Sequence, residues 1–207
     1  MSGLFISFEG GEGAGKSTQA RRLAETLRER GLTVVETREP GGSEGAEAIR
    51  ALLLGGVADR WTLPAESLLF AAARSDHVER TIAPALARGD WVISDRFIDS
   101  SLAYQGAAGG VGVDAVRALH AFGSRDLYPD RTLLLVADAG ECARRTRLRD
   151  GGDGDRIAAR GEDFHAAVEV GFLQLAAQEP ARFRRIDAGG GEKDVAARVL
   201  AAMQDFL

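Results

Sequence analysis

Short apolar runs alternate with longer stretches of helical periodicity along this chain of 207 residues. The apolar runs are continuous, which is typical of strands that are covered on both faces by helices. They predict five strands, at residues 4–8, 32–36, 91–94, 132–136 and 185–186. The helical patterns lie at residues 17–30, 46–54, 64–88, 114–122, 141–149, 163–178 and 195–206. Pro84 makes the stretch 64–88 either one interrupted helix or two helices.

This order of elements predicts an α/β fold in which helices cover both faces of a parallel five-stranded sheet. No linker or internal repeat divides the chain, so a single domain over residues 1–207 is expected. Residues 150–155 are rich in glycine and aspartate and predict a mobile loop. Together with its flanks, at about 147–161, this loop is a candidate for a small lid.

Composition narrows the class of protein. The 26 basic and 31 acidic residues give a net charge of −5, which argues against a dedicated nucleic-acid-binding protein. A single cysteine, Cys142, excludes an intrachain disulfide and a cysteine-based zinc site. No apolar run approaches the length of a membrane span, and no secretory signal is recognisable. A cytoplasmic protein without a membrane partner is therefore expected.

Residues 10–17, with the sequence GGEGAGKS, match the phosphate-binding pattern G-x-x-x-x-G-K-[ST] between a predicted strand and a predicted helix. Glycines let the backbone N–H groups turn toward a phosphate, and the helix N-terminus adds its positive end. In this pattern Lys16 reaches the β- and γ-phosphates, and the Ser17 hydroxyl binds Mg²⁺. Lys16 is one of only two lysines, and an ammonium is not interchangeable with a guanidinium. The residues predicted to bind the nucleoside triphosphate are Gly10, Gly11, Glu12, Gly13, Ala14, Gly15, Lys16, Ser17 and Thr18.

Residues 10–17 form the P-loop pattern, which several classes of protein share. Other motifs and the chain length discriminate among these classes. A GTPase would carry an Asn-Lys-x-Asp guanine-binding motif, and this chain has no asparagine. A motor or transporter ATPase needs partner-binding elements for which 207 residues leave little room. A small-molecule kinase fits the length better.

Asp95 and Arg96 directly follow the predicted third strand, where an open α/β sheet places its ligands. An acid at that position can hold Mg²⁺ through water, and the adjacent guanidinium can clamp a phosphate. The alternative is an Asp-Arg pair on a surface loop.

Three further features suggest a second pocket. Phe70 and Arg74 share one helix face and could present a ring for stacking and a donor for a base oxygen. The carboxylate of Glu12 is unfavourable beside a triphosphate unless it faces a donor such as a sugar hydroxyl. Tyr104 could form a wall of a sugar pocket. The alternatives are a core phenylalanine with a solvated arginine, a solvated glutamate and a packing tyrosine.

Arginines flank the glycine-rich loop and could close over the transferring phosphate. Otherwise they form a solvated basic helix end that the helix dipole stabilises. They are Arg144, Arg145, Arg147, Arg149 and Arg156.

Six short motifs, read together and in order, resemble those of the bacterial thymidylate kinase family. They are FEGGEGAGKST at 8–18, REPGG at 38–42, LFAAAR at 69–74, SDRF at 94–97, AYQG at 103–106 and DRI at 155–157. The first is common to P-loop proteins, whereas the next four in this order are specific. The resemblance extends from about residue 4 to about residue 187.

The resemblance implies a P-loop NTPase fold, a three-layer α/β/α sandwich, and transfer of a phosphoryl group from MgATP to dTMP. It implies that Phe70 stacks on thymine, that Arg74 binds a base oxygen and that Ser101 lies near the base edge. It further implies acceptor-binding roles for Glu12 (3′-hydroxyl), Arg38 and Arg96 (phosphate), and Tyr104 (2′ position), with Gln105 beside them in the same motif. Members of the family are commonly homodimers.

For catalysis, the resemblance implies roles for Lys16, Asp95 with Mg²⁺, Arg96 and two lid arginines, chosen as Arg149 and Arg156 with Arg147 in reserve. The sequence departs from the family pattern in three places. Ala158 stands where many relatives carry an acid, Glu169 where they often carry arginine, and Phe97 where histidine or tyrosine is common.

Two other functions stay open on the sequence. One is a kinase for another nucleoside monophosphate or for a deoxynucleoside. The other is a P-loop protein that binds a nucleotide without catalysis, which the departures at Ala158 and Glu169 would favour. Intact Lys16, Asp95 and Arg96 argue against the second.

Overall fold

A single parallel sheet organises the fold. The computed structural model describes residues 3–57, 59–150 and 155–207, without the side chains of residues 139 and 147–150. Within these residues five strands pair in the order β2-β3-β1-β4-β5, and every pairing is parallel. The strands are β1 Phe5–Glu9, β2 Val34–Arg38, β3 Trp91–Asp95, β4 Arg131–Val136 and β5 Phe183–Asp187. The predicted α/β fold with five parallel strands is confirmed.

Helices connect successive strands. They are α1 Lys16–Glu29, α2 Glu44–Leu54, α3 Leu63–His77, α4 Ala83–Ala87, α5 Ile98–Ser101, α6 Val113–Ser124, α7 Ala139–Asp150, α8 Glu162–Gln178 and α9 Glu192–Ala201. A π-helical segment, Val78–Ile82, joins α3 to α4, and a second one, Leu102–Ala108, continues α5. A short 3₁₀ turn, Gln204–Phe206, follows α9. No helix among the described residues is long and apolar enough to cross a membrane.

The long stretch 64–88 is helical without a break through α3, the π-helical segment and α4, which is the interrupted helix among the two arrangements that Pro84 allowed. Pro84 occupies the first turn of α4, where its missing N–H is not needed for an intrahelical bond. The π-helical turns at Val78–Ile82 connect the two helices without a loop.

The segment from Ile98 to Ala108 is helical throughout, although the sequence pattern predicted no element there. Its side chains are buried almost all round, from Ile98 and Asp99 to Tyr104 and Gln105. A helix that is covered on every side has no polar face, so periodicity could not reveal it.

Two apolar layers sandwich the sheet. On one face Ile6, Phe8 and Ile93 pack against α1 and α9. On the other face Phe5 and Val92 pack against the π-helical segments at Val78–Ile82 and Leu102–Ala108 and against α8. Successive strand residues point to opposite faces, so the continuous apolar runs fill both layers.

The register aligns the carboxyl ends of the strands that carry polar side chains. Asp95 of β3 lies opposite Phe8 of β1 on one side and Arg38 of β2 on the other. The phosphate-binding loop after β1 and the Asp-Arg pair after β3 therefore meet at one edge of the sheet.

Candidate active site

The phosphate-binding loop connects β1 to the N-terminus of α1. Gly15 caps α1 in the left-handed region with a φ of 92°. Gly13 is also left-handed, with a φ of 74°, and a Cβ there would lie 2.2 Å from the carbonyl oxygen of Cys142. Glycine at position 13 is therefore required both by the backbone conformation and by the close approach of α7.

The Lys16 side chain folds back over the loop. Its Nζ donates hydrogen bonds to the carbonyl oxygens of Gly10 at 3.1 Å and Gly11 at 2.7 Å. Burial lowers the pKa of Lys16, and the positive charge of Arg96 lowers it further. An anionic phosphate beside this buried ammonium would relieve both effects.

The two predicted magnesium ligands lie in contact. The Ser17 hydroxyl donates a hydrogen bond to Oδ2 of Asp95. Among the described residues no cluster of three or more His, Cys, Asp or Glu side chains could hold a metal ion. Two adjacent oxygen ligands suit Mg²⁺, which is usually held by one or two protein ligands, with water and phosphate oxygens completing its octahedron.

Arg96 links the phosphate-binding loop to the second pocket. Its backbone is left-handed, with a φ of 70°, which is uncommon outside glycine and often marks a functional site. The guanidinium donates to Glu12, to the Gly10 carbonyl oxygen at 3.2 Å, to Ser100 Oγ at 3.0 Å and to the Tyr104 hydroxyl at 3.3 Å. Burial by itself lowers the pKa of Arg96, but Tyr104 and the carboxylates of Glu12 and Asp95 outweigh it and raise the pKa, so Arg96 stays a cation.

Arg38 lies at the end of β2 and pairs with a carboxylate. Its Nη2 donates to both oxygens of Glu47, at 3.0 and 3.1 Å. Arg50 was not singled out from the sequence, but it lines the same cavity and donates to the Pro40 carbonyl oxygen at 2.6 Å. Burial and the nearby Arg38 lower the pKa of Arg50.

Phe70 and Arg74 both line the cavity, from the same face of α3, as their spacing predicted. Arg74 is only 3% exposed, which rules out the alternative of a solvated arginine. Its Nη2 donates to Ser101 Oγ at 2.8 Å, so Ser101 lies next to Arg74. Tyr104 is buried with its ring edge against Phe164 and Phe172.

Glu66 accepts hydrogen bonds from Gln105 and from two arginines of the candidate lid. The Gln105 amide donates to Glu66 Oε1 at 2.9 Å, and Arg156 and Arg160 donate to Oε2. Arg156 is 3% exposed, and its side chain also donates to the Leu53 carbonyl oxygen of α2 at 2.9 Å. The side chains of Arg147 and Arg149 lie outside the described residues, as does the segment 151–154 of the candidate lid.

One cavity of about 790 Å³ joins these groups, a volume that suits small-molecule ligands. The predicted residues that line it are Glu12, Gly13, Gly15, Lys16, Ser17, Thr18, Arg38, Phe70, Arg74, Asp95, Arg96, Ser101, Tyr104 and Gln105. The remaining loop residues, Gly10, Gly11 and Ala14, lie in the same turn. Arg145 of α7, one of the arginines before the glycine-rich loop, also lines the cavity.

Glu9, the last residue of β1, was missed. Its fully buried carboxylate accepts hydrogen bonds from the Phe97 N–H at 2.7 Å and from the Ser100 hydroxyl at 2.6 Å. Burial raises the pKa of Glu9 to about 8, and Asp99 adds to the effect. An acid at the end of an otherwise apolar strand was the available signal.

The fold and the cavity define a P-loop nucleotide-binding protein with space for a second ligand beside the phosphate-binding loop. The profile of the thymidylate kinase family matches residues 8–199. The chain therefore belongs to the thymidylate kinase family, as the sequence resemblance predicted.

Individual relatives agree with this assignment. The chain is 58% identical over 207 residues to a thymidylate kinase of Rhizorhabdus wittichii, with both chains fully covered. It is 49% identical over 205 residues to a thymidylate kinase of Caulobacter vibrioides, covering 99% of this chain and 96% of the relative. The crystal structure of thymidylate kinase from Ehrlichia chaffeensis has a TM-score of 0.81 and 32% identity, covering 99% of this chain and 100% of that one.

Proposed function

We propose that this chain transfers the γ-phosphoryl group of ATP to the 5′-phosphate of dTMP, giving ADP and dTDP. The observation that carries the proposal is the single cavity that contains both the phosphate-binding loop and the Phe70–Arg74 pair. Direct transfer needs the two nucleotides to meet end to end with the attacking and leaving oxygens in line. Arg96 lies between the two halves of the cavity, where the phosphates would meet.

In this proposal the loop and the N-terminus of α1 hold the β- and γ-phosphates of ATP. Lys16 would exchange the Gly10 and Gly11 carbonyl oxygens for phosphate oxygens. Ser17 and Asp95 would hold Mg²⁺, which supplies positive charge to the transferring phosphates when it is bound. No general base is required, because the acceptor phosphate is already anionic near neutral pH.

The acceptor pocket would bind dTMP through its base, sugar and phosphate. Phe70 would stack on thymine, and Arg74 would donate to a base oxygen. Tyr104 would lie against the 2′ position and Glu12 would accept from the 3′-hydroxyl. Gln105 belongs to the same wall of the cavity.

Two arginines would hold the acceptor phosphate after changing partners. Arg38 pairs with Glu47, and Arg96 donates to Glu12. A phosphate would compete with these carboxylates for the guanidinium donors. Glu12 would then be released toward the sugar hydroxyl that it is proposed to bind.

The lid arginines Arg149 and Arg156 would close over the transferring phosphate and neutralise its charge. Arg156 donates to Glu66, and in this proposal it exchanges that carboxylate for the transferring phosphate. Such an exchange would couple lid closure to the arrival of phosphate charge.

The decisive test is an ADP-release assay with MgATP and a panel of dTMP, dUMP, dCMP, AMP, dGMP and thymidine. We expect strong turnover with dTMP, weaker turnover with dUMP and little with the others. A preference for another monophosphate or for thymidine would contradict the proposal that dTMP is the acceptor. ATP binding without turnover of any acceptor would support the non-catalytic alternative.

We also propose that the protein is a cytoplasmic homodimer in which residues 1–207 form one domain with a small lid at about 147–161. The two apolar layers on opposite faces of one sheet support the single domain. Family membership supports the homodimer, and large exposed apolar side chains on α3 and α6 are consistent with it. The cytoplasm would supply ATP.

A further inference from the structure

Arg74 is held by a buried acid and a buried histidine that the proposed reaction does not use. Glu39, which directly follows β2, is 6% exposed, and His77, at the end of α3, is fully buried. Arg74 Nε donates to Glu39 Oε2 at 2.8 Å. The second oxygen, Glu39 Oε1, lies 3.0 Å from His77 Nδ1.

The hydrogen bonds of this group form one ordered chain. Burial raises the pKa of Glu39, but the charge of Arg74 and the bond from His77 outweigh it and leave the pKa below its usual value. An ionised carboxylate only accepts, so His77 Nδ1 carries a proton and donates. In a neutral ring His77 Nε2 then accepts from the Thr37 hydroxyl, 2.6 Å away.

This series of hydrogen bonds determines which N–H groups of Arg74 remain free to bind a ligand. Nε is taken by Glu39, and Nη2 by Ser101 Oγ at 2.8 Å and the Phe97 carbonyl oxygen at 3.4 Å. Among residues 3–57, 59–150 and 155–207 no hydrogen-bond partner of Nη1 is found. Because Arg74 lines the cavity, Nη1 is the nitrogen left to meet a bound base.

We propose that Glu39, supported by His77, is a positioning residue that sets the base selectivity of the acceptor pocket. A guanidinium has only donors, so a fixed Nη1 can donate to a carbonyl oxygen of the base. A base that presents an amino group at that position would set one donor against another. A guanidinium that can turn away loses this discrimination. The inference rests on the proposed function, because it assumes that the pocket beside Phe70 binds the acceptor base.

Glu39→Gln tests the proposal with little change of shape. The amide keeps one oxygen for Arg74 Nε but removes the negative charge, so the charge-assisted hydrogen bond that holds the guanidinium is weakened. We expect the kcat/KM ratio of dTMP to dCMP to fall by about ten-fold or more, mainly through a higher KM for dTMP. The KM for ATP should stay within about two-fold, which a general loss of structure would not allow.

His120→Gln is the matched control. His120 is also a buried histidine, but it bonds to the Leu127 carbonyl oxygen at 2.7 Å and does not line the cavity. Its variant should keep the wild-type ratio of dTMP to dCMP. If Glu39→Gln fails to fold in a thermal melt, His77→Gln serves instead, because it removes one support of Glu39 and leaves the carboxylate in place.

Calorimetric titration of dTMP and dCMP measures the same selectivity without turnover. If the wild type binds dTMP but does not phosphorylate it, the proposed function fails while the binding ratio still tests Glu39. A folded Glu39→Gln or His77→Gln protein with the wild-type ratio would overturn the inference. An equal loss in His120→Gln would overturn it too.

Discussion

Lys16 is one of two lysines in the chain, and the two have very different surroundings. Lys16 is 7% exposed under the loop carbonyls, whereas Lys193 is exposed on α9. We expect Lys16→Ala to lower kcat/KM for dTMP phosphorylation by at least about 100-fold, because a preorganised cation at the transferring phosphate is lost. Lys193→Ala is the matched control and should retain wild-type kinetics. Comparable kinetics in the two variants would contradict the role of Lys16.

Glu9 makes folding stability depend on pH in an unusual direction. Its pKa is raised from 4.5 to about 8 in the folded protein. Between these values the folded state holds a proton that the unfolded chain has released. The stabilising effect of this proton is fully present below pH 4.5 and is lost as the pH rises through 8. Glu9→Gln cannot titrate there and should escape this loss.

Urea unfolding of wild type and Glu9→Gln at about pH 5 and pH 8 measures the effect. The free energy of unfolding of the variant, relative to that of wild type, should rise by at least about 1.4 kcal/mol from pH 5 to pH 8, which is the equivalent of one pKa unit. His120, whose pKa burial lowers to about 4, titrates in both proteins and cancels. A difference that is independent of pH would contradict the prediction.

Residue types and spacing were enough to predict one pair of cavity-lining side chains, but not the buried acids that hold the site residues in position. The spacing of Phe70 and Arg74 predicted a shared helix face, and the structure has both in one cavity. Glu39 is separated from Arg74 by 35 positions, and Glu9 from Ser100 by 91. Pairings over such distances depend on strand order and register, which a local pattern does not contain.

At the scale of elements, the sequence pattern predicted α3, which carries Phe70 and Arg74, but not the helical segment on the Tyr104 side of the proposed acceptor pocket. The π-helical segment Leu102–Ala108 holds Tyr104 and Gln105 inside the protein. Gly171 of α8 lets it approach closely, since a Cβ there would lie 3.2 Å from the Cβ of Ala107. π-Helical turns often occur at functional sites, and here the segment forms a wall of the cavity.

Glu66 binds α3 to the elements around it. It is fully buried and accepts hydrogen bonds from Gln105, Arg156 and Arg160. We expect Glu66→Gln to lower the free energy of unfolding by about 3 kcal/mol, because two guanidinium groups lose their buried counter-charge. Urea denaturation measures this change.

The control for Glu66 is an acid on the π-helical segment that follows α3. Glu79 pairs with Arg125 while both side chains are largely exposed. Pairs of this kind contribute little, so Glu79→Gln should leave the unfolding curve unchanged. Equal destabilisation by the two substitutions would argue against the buried network as the cause.

For the whole molecule, the sheet was predictable because its strands are buried on both faces. Ile6 and Phe8 fill one layer, and Phe5 fills the other, so the run at 4–8 is apolar without interruption. The order of the strands was not predictable from the same pattern. It depends on which helices cross to which face, and the apolar runs resemble one another too closely to specify that.

The outer surface of α3 and α6 bears on the proposed homodimer. Phe122 on α6 is 92% exposed and Leu68 on α3 is 56% exposed. The two helices are neighbours, since a Cβ on Gly123 would lie 3.4 Å from the Cβ of Ser75. An almost fully exposed phenylalanine is rare on a monomer surface unless another surface covers it.

If a second copy covers this surface, a charge in place of Phe122 will separate the two subunits. Light scattering after size exclusion should give twice the chain mass of 21.9 kDa for wild type and the single mass for Phe122→Glu. Val170→Glu is the matched control, because Val170 is 53% exposed on α8, a different helix, and this variant should stay dimeric. A monomeric wild type would contradict the homodimer. A dimer that survives Phe122→Glu would place the interface on another surface, because burying an unpaired carboxylate between subunits is strongly unfavourable.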